Sequence, residues 1–202
     1  SVKNASSTST TSWRVIFRRP VVIAFFVSTF LLQLSFGAYY TFFSLYLDSY
    51  DYSRTAIGLL LALGVVAAVI LFLFIHRMMP KMGVTYLLFV SLLLTAIRWC
   101  VIAFFADTLW IVIVSQAIHA FSFGAAHAAS IELIRQFFKG HHAGQGNALY
   151  SSLTYGIGGA IGALGSGLLW DVDPQLLFVV SGIAVFIAAA VTAIFLCGKK
   201  CD

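Results

Sequence analysis

Six long apolar stretches alternate with short polar segments along the 202 residues. They cover about residues 20–47, 55–75, 83–106, 109–138, 143–170 and 174–197. A helix needs ~20 mostly apolar residues to cross ~30 Å of hydrocarbon, and each stretch meets that length. None shows the ~10-residue alternation of a barrel strand. Two local signals agree with helical starts. Pro20 suits the first turn of the first span, and Ser53 suits the N-cap of the second. The pattern predicts an all-α membrane protein with six transmembrane helices.

Composition supports this reading. Hydrophobic residues make up 61% of the chain and charged residues 9%, against about 25% charged in a soluble domain. The chain lacks the charge to cover a water-facing surface, and the lipid bilayer is its expected surrounding. The net charge of +5 matters less than where the charges fall. Lys3, Arg14, Arg18, Arg19, Arg77, Lys81, Arg135, Lys139, Lys199 and Lys200 all fall on one side of the six-span topology. Asp48, Asp51, Asp107, Asp171 and Asp173 fall on the other, with Arg54 as its only base. Lys and Arg are retained in the cytoplasm. We therefore expect both termini to be cytoplasmic in a multi-pass protein of the cell membrane, the inner membrane in a bacterium.

Residues 1–12 read as a polar linker without signal-peptide features. The expected organisation is a cytoplasmic linker over 1–19, a six-helix half-bundle over 20–197 and a cytoplasmic tail over 198–202. The linker suggests a chain that begins in a loop of a longer polypeptide. The sequon at Asn4 would then be cytoplasmic and idle. Cys100, Cys197 and Cys201 form no C-x-x-C, so no disulfide framework or metal site is expected. No phosphate loop, Ser–His–Asp set or H-E-x-x-H motif occurs. The expectation is no cofactor, no nucleic-acid partner and no enzymatic activity.

An internal repeat refines the fold. Ser35-Phe36-Gly37-Ala38 in the first span returns as Ser122-Phe123-Gly124-Ala125 in the fourth, 87 residues later. Those spans run in opposite directions. Two inverted three-helix units, residues 20–106 and 109–197, are expected, as in the half-bundles of secondary transporters.

Several segments carry a family resemblance. Gly37-Ala38-Tyr39-Tyr40-Thr41-Phe42, Tyr52-Ser53, Leu63-Gly64-Val65-Val66-Ala67, Arg98-Trp99, Gln116-x-x-His119 with His127, and Ala148-Leu149-Tyr150-Ser151 occur in order. Over about residues 14–196 the chain resembles the second half of a phenylpropionate-permease-like major facilitator transporter, a branch similar to nucleoside–proton and sugar–proton symporters. The resemblance implies the seventh to twelfth helices of a twelve-helix protein, with a six-helix N-terminal half as partner. It also implies proton-coupled movement of a small organic solute, such as an aromatic carboxylate, by alternating access. The chain departs from the pattern in three places. The loop His76-Arg77-Met78-Met79-Pro80-Lys81-Met82-Gly83 lacks the family's acid, and Phe36 and Ala68 stand where relatives often carry His and Glu. A stand-alone six-helix module that dimerises or scaffolds a partner is the alternative.

Candidate site residues follow from polar groups at membrane depth, which face a cavity or a partner. Arg98 suits a substrate carboxylate, or an anchor on neighbouring helix carbonyls. His119 lies ten residues into the fourth span, ~15 Å deep at 1.5 Å per residue. His127 lies eight residues on, on a face roughly 80° away for a regular helix. Either can shuttle protons or hydrogen-bond across helices. Glu132 is a third proton-coupling candidate, although an i, i+3 pair with Arg135 is the favoured reading. Gln33, Tyr39, Tyr40, Gln116, Asn147 and Tyr150 complete the expected solute-binding set, with Ser151, Ser152 and Tyr155 on the same polar face of span five. Gly158-x-x-x-Gly162 suits close helix packing or dimerisation.

Overall fold

The structure, a computed structural model, describes residues 13–198. Lys3, the sequon at Asn4, Lys199, Lys200 and Cys201 lie outside the described residues. After a short helix, Trp13–Phe17, six helices are long and apolar enough to cross a membrane: α1 Pro20–Asp48, α2 Arg54–Met82, α3 Val84–Phe105, α4 Leu109–Phe137, α5 Ala143–Trp170 and α6 Pro174–Cys197. Every regular element among the described residues is helical.

The starts and stops have local causes. Pro20 opens α1, where its missing N–H costs no helical bond. The Ser53 hydroxyl accepts the Ala56 N–H at 3.2 Å and caps α2. Asp173 caps α6 by accepting the Gln175 N–H at 2.7 Å. α2 runs past the expected end near residue 75 to Met82, through Pro80. Gly83 then takes φ 82°, a left-handed value open to glycine, and turns the chain into α3.

The packing is symmetric under exchange of the two halves. α1 packs on α5 and α6, α4 packs on α2 and α3, and α3 packs on α6. Swapping α1 with α4, α2 with α5 and α3 with α6 maps each of these contacts onto another in the set. Because each unit contains three spans, its copy is inverted. The repeated glycines hold equivalent crossings: Gly37 lies against α5 at Gly162, and Gly124 lies against α2 at Ala68 and Leu71.

Lipid removes the hydrophobic drive between helices, so packing and polar links hold them together. The Tyr46 hydroxyl donates to the Ala103 carbonyl at 2.9 Å and its ring lies 4.7 Å from Phe178, joining α1, α3 and α6. The Ser28 hydroxyl donates to the Ala188 carbonyl at 3.1 Å and accepts from Thr192 at 2.9 Å. α2 and α5, exchanged by the symmetry, are the least buried spans. They expose Leu59, Val65, Val69 and Leu73, and Ile161, Leu164 and Leu168, respectively.

Candidate functional site

The polar centre of the bundle is built around Arg98. Its side chain is fully buried between α1, α3 and α4. Nε donates to the Ser115 carbonyl at 2.9 Å and Nη2 to Gln116 Oε1 at 3.4 Å. The guanidinium carbon lies 4.6 Å from the Tyr39 ring centroid and 4.5 Å from that of Trp99, within reach of cation–π attraction. The Tyr39 hydroxyl donates to the same Gln116 oxygen at 2.9 Å. Trp99 Nε1 donates to Ser35 Oγ at 3.1 Å, which fixes the indole against α1. Among the described residues the one ion pair is Arg135 with Glu132, so no carboxylate neutralises Arg98. Three buried polar atoms of this layer, Arg98 Nη1, Gln116 Nε2 and His119 Nδ1, lack a hydrogen-bond partner.

A column of rings leaves this layer along α4. The His119 ring stacks on Tyr39 at 5.2 Å. Phe123 lies parallel to His119 at 6.0 Å, and His127 parallel to Phe123 at 6.0 Å. A regular helix would put His119 and His127 on different faces. Here Ala120–Ala125 is a π-helical segment, whose wider turn realigns the two rings. Such segments are rare and concentrate at functional sites. The column ends at α5, where a second π segment, Ser151–Gly158, carries Tyr155. His127 Nδ1 lies 2.8 Å from the Tyr155 hydroxyl and 3.4 Å from that of Tyr150. Tyr150 stacks on Phe25 of α1 at 6.1 Å.

The remaining candidates take separate places. Tyr40 is 58% exposed and stacks on Phe36 at 5.4 Å, whereas its neighbour Tyr39 is buried in the Arg98 layer. Gln33 is buried and faces Gly159 of α5. Asn147 is exposed on α5, one turn before Tyr150. Glu132 is held by Arg135 at 2.7 and 2.6 Å and by Gln136 at 3.0 Å, away from the ring column. The structure thus brings Tyr39, Arg98, Gln116 and His119 into one cluster, His127 and Tyr150 into a second, and leaves Glu132 and Asn147 outside both.

The chain matches the model of the MFS_1 like family over residues 1–180. The chain belongs to that family, within the major facilitator superfamily. It is 28% identical over 169 residues to a protein of Escherichia coli (strain K12) named "Probable 3-phenylpropionic acid transporter", covering 84% of this chain and 44% of that protein. It is 24% identical over 159 residues to "Uncharacterized transporter YwbF" of Bacillus subtilis (strain 168), covering 79% of this chain and 40% of that protein. The chain therefore spans less than half the length of both curated relatives. Both are named as transporters rather than enzymes.

Within this major facilitator half-bundle, two of the three departures noted in the sequence fall beside the ring column. Phe36 packs edge-on against Trp99 at 5.5 Å and His119 at 5.9 Å. Ala68 is buried where α2 crosses Gly124. Sequence reasoning missed Trp99, Ser115 and Phe123 as parts of the site. The i, i+4, i+8 spacing of His119, Phe123 and His127 was the available sign of a ring column. Ser115 contributes a backbone carbonyl, which side-chain chemistry does not reveal.

Proposed function

We propose that this chain is the C-terminal half of a secondary active transporter that carries a small organic anion, an aromatic carboxylate, together with protons by alternating access. The observation that carries this reading is Arg98, a fully buried cation with no carboxylate beside it among the described residues. A buried charge is costly unless compensated, and a carboxylate solute arriving in front of Tyr39, Gln116 and His119 supplies the missing negative charge. Arg98 acts through its field from behind that wall. Tyr40, exposed and stacked, is the group placed to meet an aromatic ring. Gln33 and Tyr150 extend the wall from α1 and α5, and Asn147 stands outside it, one turn before Tyr150. His127, between two tyrosine hydroxyls, is the proton carrier, with His119 as a secondary group; Glu132, paired with Arg135, stands apart from that route.

The apolar faces of α2 and α5 fit a six-helix N-terminal half, and the halves rock about the enclosed site. The basic end, with Arg18, Arg19, Arg77, Lys81, Arg135 and Lys139, faces the cytoplasm, and so do both termini. The same exposed faces suit a second copy of the chain, which is the module reading. Reading the coding region upstream of residue 1 separates the two: six further spans support the transporter, and a stop codon just upstream supports the module. Uptake of a labelled aromatic carboxylate by cells expressing the complete coding region tests the activity.

A further inference from the structure

The outer surface where α3 and α6 cross carries an open-sided groove of about 400 Å³. Its floor is made of small residues, Ala96, Cys100 and Gly182, and its ends are marked by Leu93 and Phe186 at one extreme and Phe105 at the other. A Cβ on Gly182 would lie 3.1 Å from the Cys100 sulfur, so the two helices approach closely beneath the groove. Its walls are apolar side chains throughout, and Cys100 is exposed in it. It lies away from the solute cluster, whose Arg98 points from α3 toward α4.

We propose that this groove holds one acyl chain of a membrane phospholipid whose headgroup bears a primary amine, drawn from the leaflet at the acidic end. Length supports the occupant. From Phe105 to Leu93 along α3 is ~18 Å at 1.5 Å per residue, close to one leaflet of a ~30 Å hydrocarbon core. Depth agrees on the opposite wall, because Phe186 lies twelve residues below the start of α6 at Pro174. The groove therefore opens at the headgroup level and closes just past the midplane, the shape of one chain rather than of a second helix. Charge names the headgroup. α3 is followed by the exposed Asp107, and α6 is preceded by the exposed Asp173. Both walls thus end in a carboxylate, which attracts an ammonium and repels an anionic lipid.

The test is photolabelling of the protein expressed from its complete coding region, in vesicles containing phosphatidylethanolamine with a diazirine on one acyl chain. Labelled peptides should cover residues 93–105 and 182–186 at least fivefold more than the exposed face of α2 at equal depth. Cys100→Phe fills the floor and should remove most of that excess while thermal unfolding stays unchanged. The native thiol gives a reading that needs no variant: a membrane-permeant maleimide should label Cys100 at least threefold more slowly in these vesicles than in lipid-stripped detergent. Even labelling of all lipid-facing helices, or an equal Cys100 rate in both settings, overturns the proposal. Crosslinks between Cys100 of two copies also overturn it, in favour of a dimer contact. The same diazirine chain on phosphatidylglycerol should label the groove at least threefold less, and equal labelling overturns the amine assignment.

Discussion

Gly37 of α1 lies so close to Gly162 of α5 that a Cβ on Gly37 would overlap the Gly162 backbone. The reverse also holds, because a Cβ on Gly162 would strike the Leu34 backbone. Backbone cannot rotate aside as a side chain can, so this crossing admits no methyl group. We expect Gly37→Ala and Gly162→Ala each to destabilise the half-bundle by about 1–3 kcal/mol, the range for overpacking. Gly58→Ala and Gly165→Ala, where a Cβ meets nothing within 4 Å, serve as controls. Thermal unfolding in detergent reads the difference, and equal melting of all four variants would remove this crossing from the account.

Arg98 gives the second prediction. Arg98→Gln removes the cation while keeping a donor for the Ser115 carbonyl. With the anionic solute, KM should rise about tenfold or more, since each tenfold is ~1.4 kcal/mol of binding. A neutral analogue such as the corresponding amide should be affected little. Equal losses for acid and amide would show that Arg98 only anchors α3 to α4.

The ring column gives the third. His127→Gln and Tyr155→Phe should uncouple solute from protons. In the parent protein, uptake driven by a proton gradient should fall as the external pH rises from about 5.5 to 8, because the proton is a co-substrate. In His127→Gln this pH dependence should flatten, while exchange of solute without net proton movement persists. A His127→Gln protein with the parent's pH profile would move the proton site elsewhere.

The sequence disclosed the six spans because span length and charge are set by the membrane itself, which acts on every residue. It also disclosed the half-repeat, whose glycines sit at symmetric crossings. The Ser53 cap was legible because the residue type carries the hydrogen bond. The alignment of His119 with His127 was not, since it depends on an i→i+5 backbone register that no side chain announces. The α2 helix outruns its apolar stretch, which ends near residue 75, because the polar segment from His76 stays helical to Met82, with Pro80 tolerated in the last turn. Tyr39 and Tyr40 looked like a pair, yet one helical step sends Tyr39 onto Arg98 and Tyr40 to an exposed face.

Orientation gives the fourth prediction. Cysteines introduced at Lys81 and Asp107, both exposed, the first just before α3 and the second just after it, should label from opposite sides of the membrane, with Lys81 reached only from the cytoplasm. Labelling of Lys81→Cys by an impermeant reagent in intact cells would reverse the orientation, and labelling of both from one side would end the six-span topology.

Proton-coupled carriage of an aromatic carboxylate past the Arg98 layer can be read in a single transport assay. The most direct measurement uses the protein from its complete coding region in sealed vesicles, with radiolabelled phenylpropionate outside and an imposed pH gradient, acid outside. Phenylpropionate should accumulate above equilibrium, the accumulation should collapse with a protonophore, and at solute below the parent's KM it should fall about tenfold or more in Arg98→Gln. Entry that only reaches equilibrium, is indifferent to the protonophore and is unchanged in Arg98→Gln would contradict such carriage.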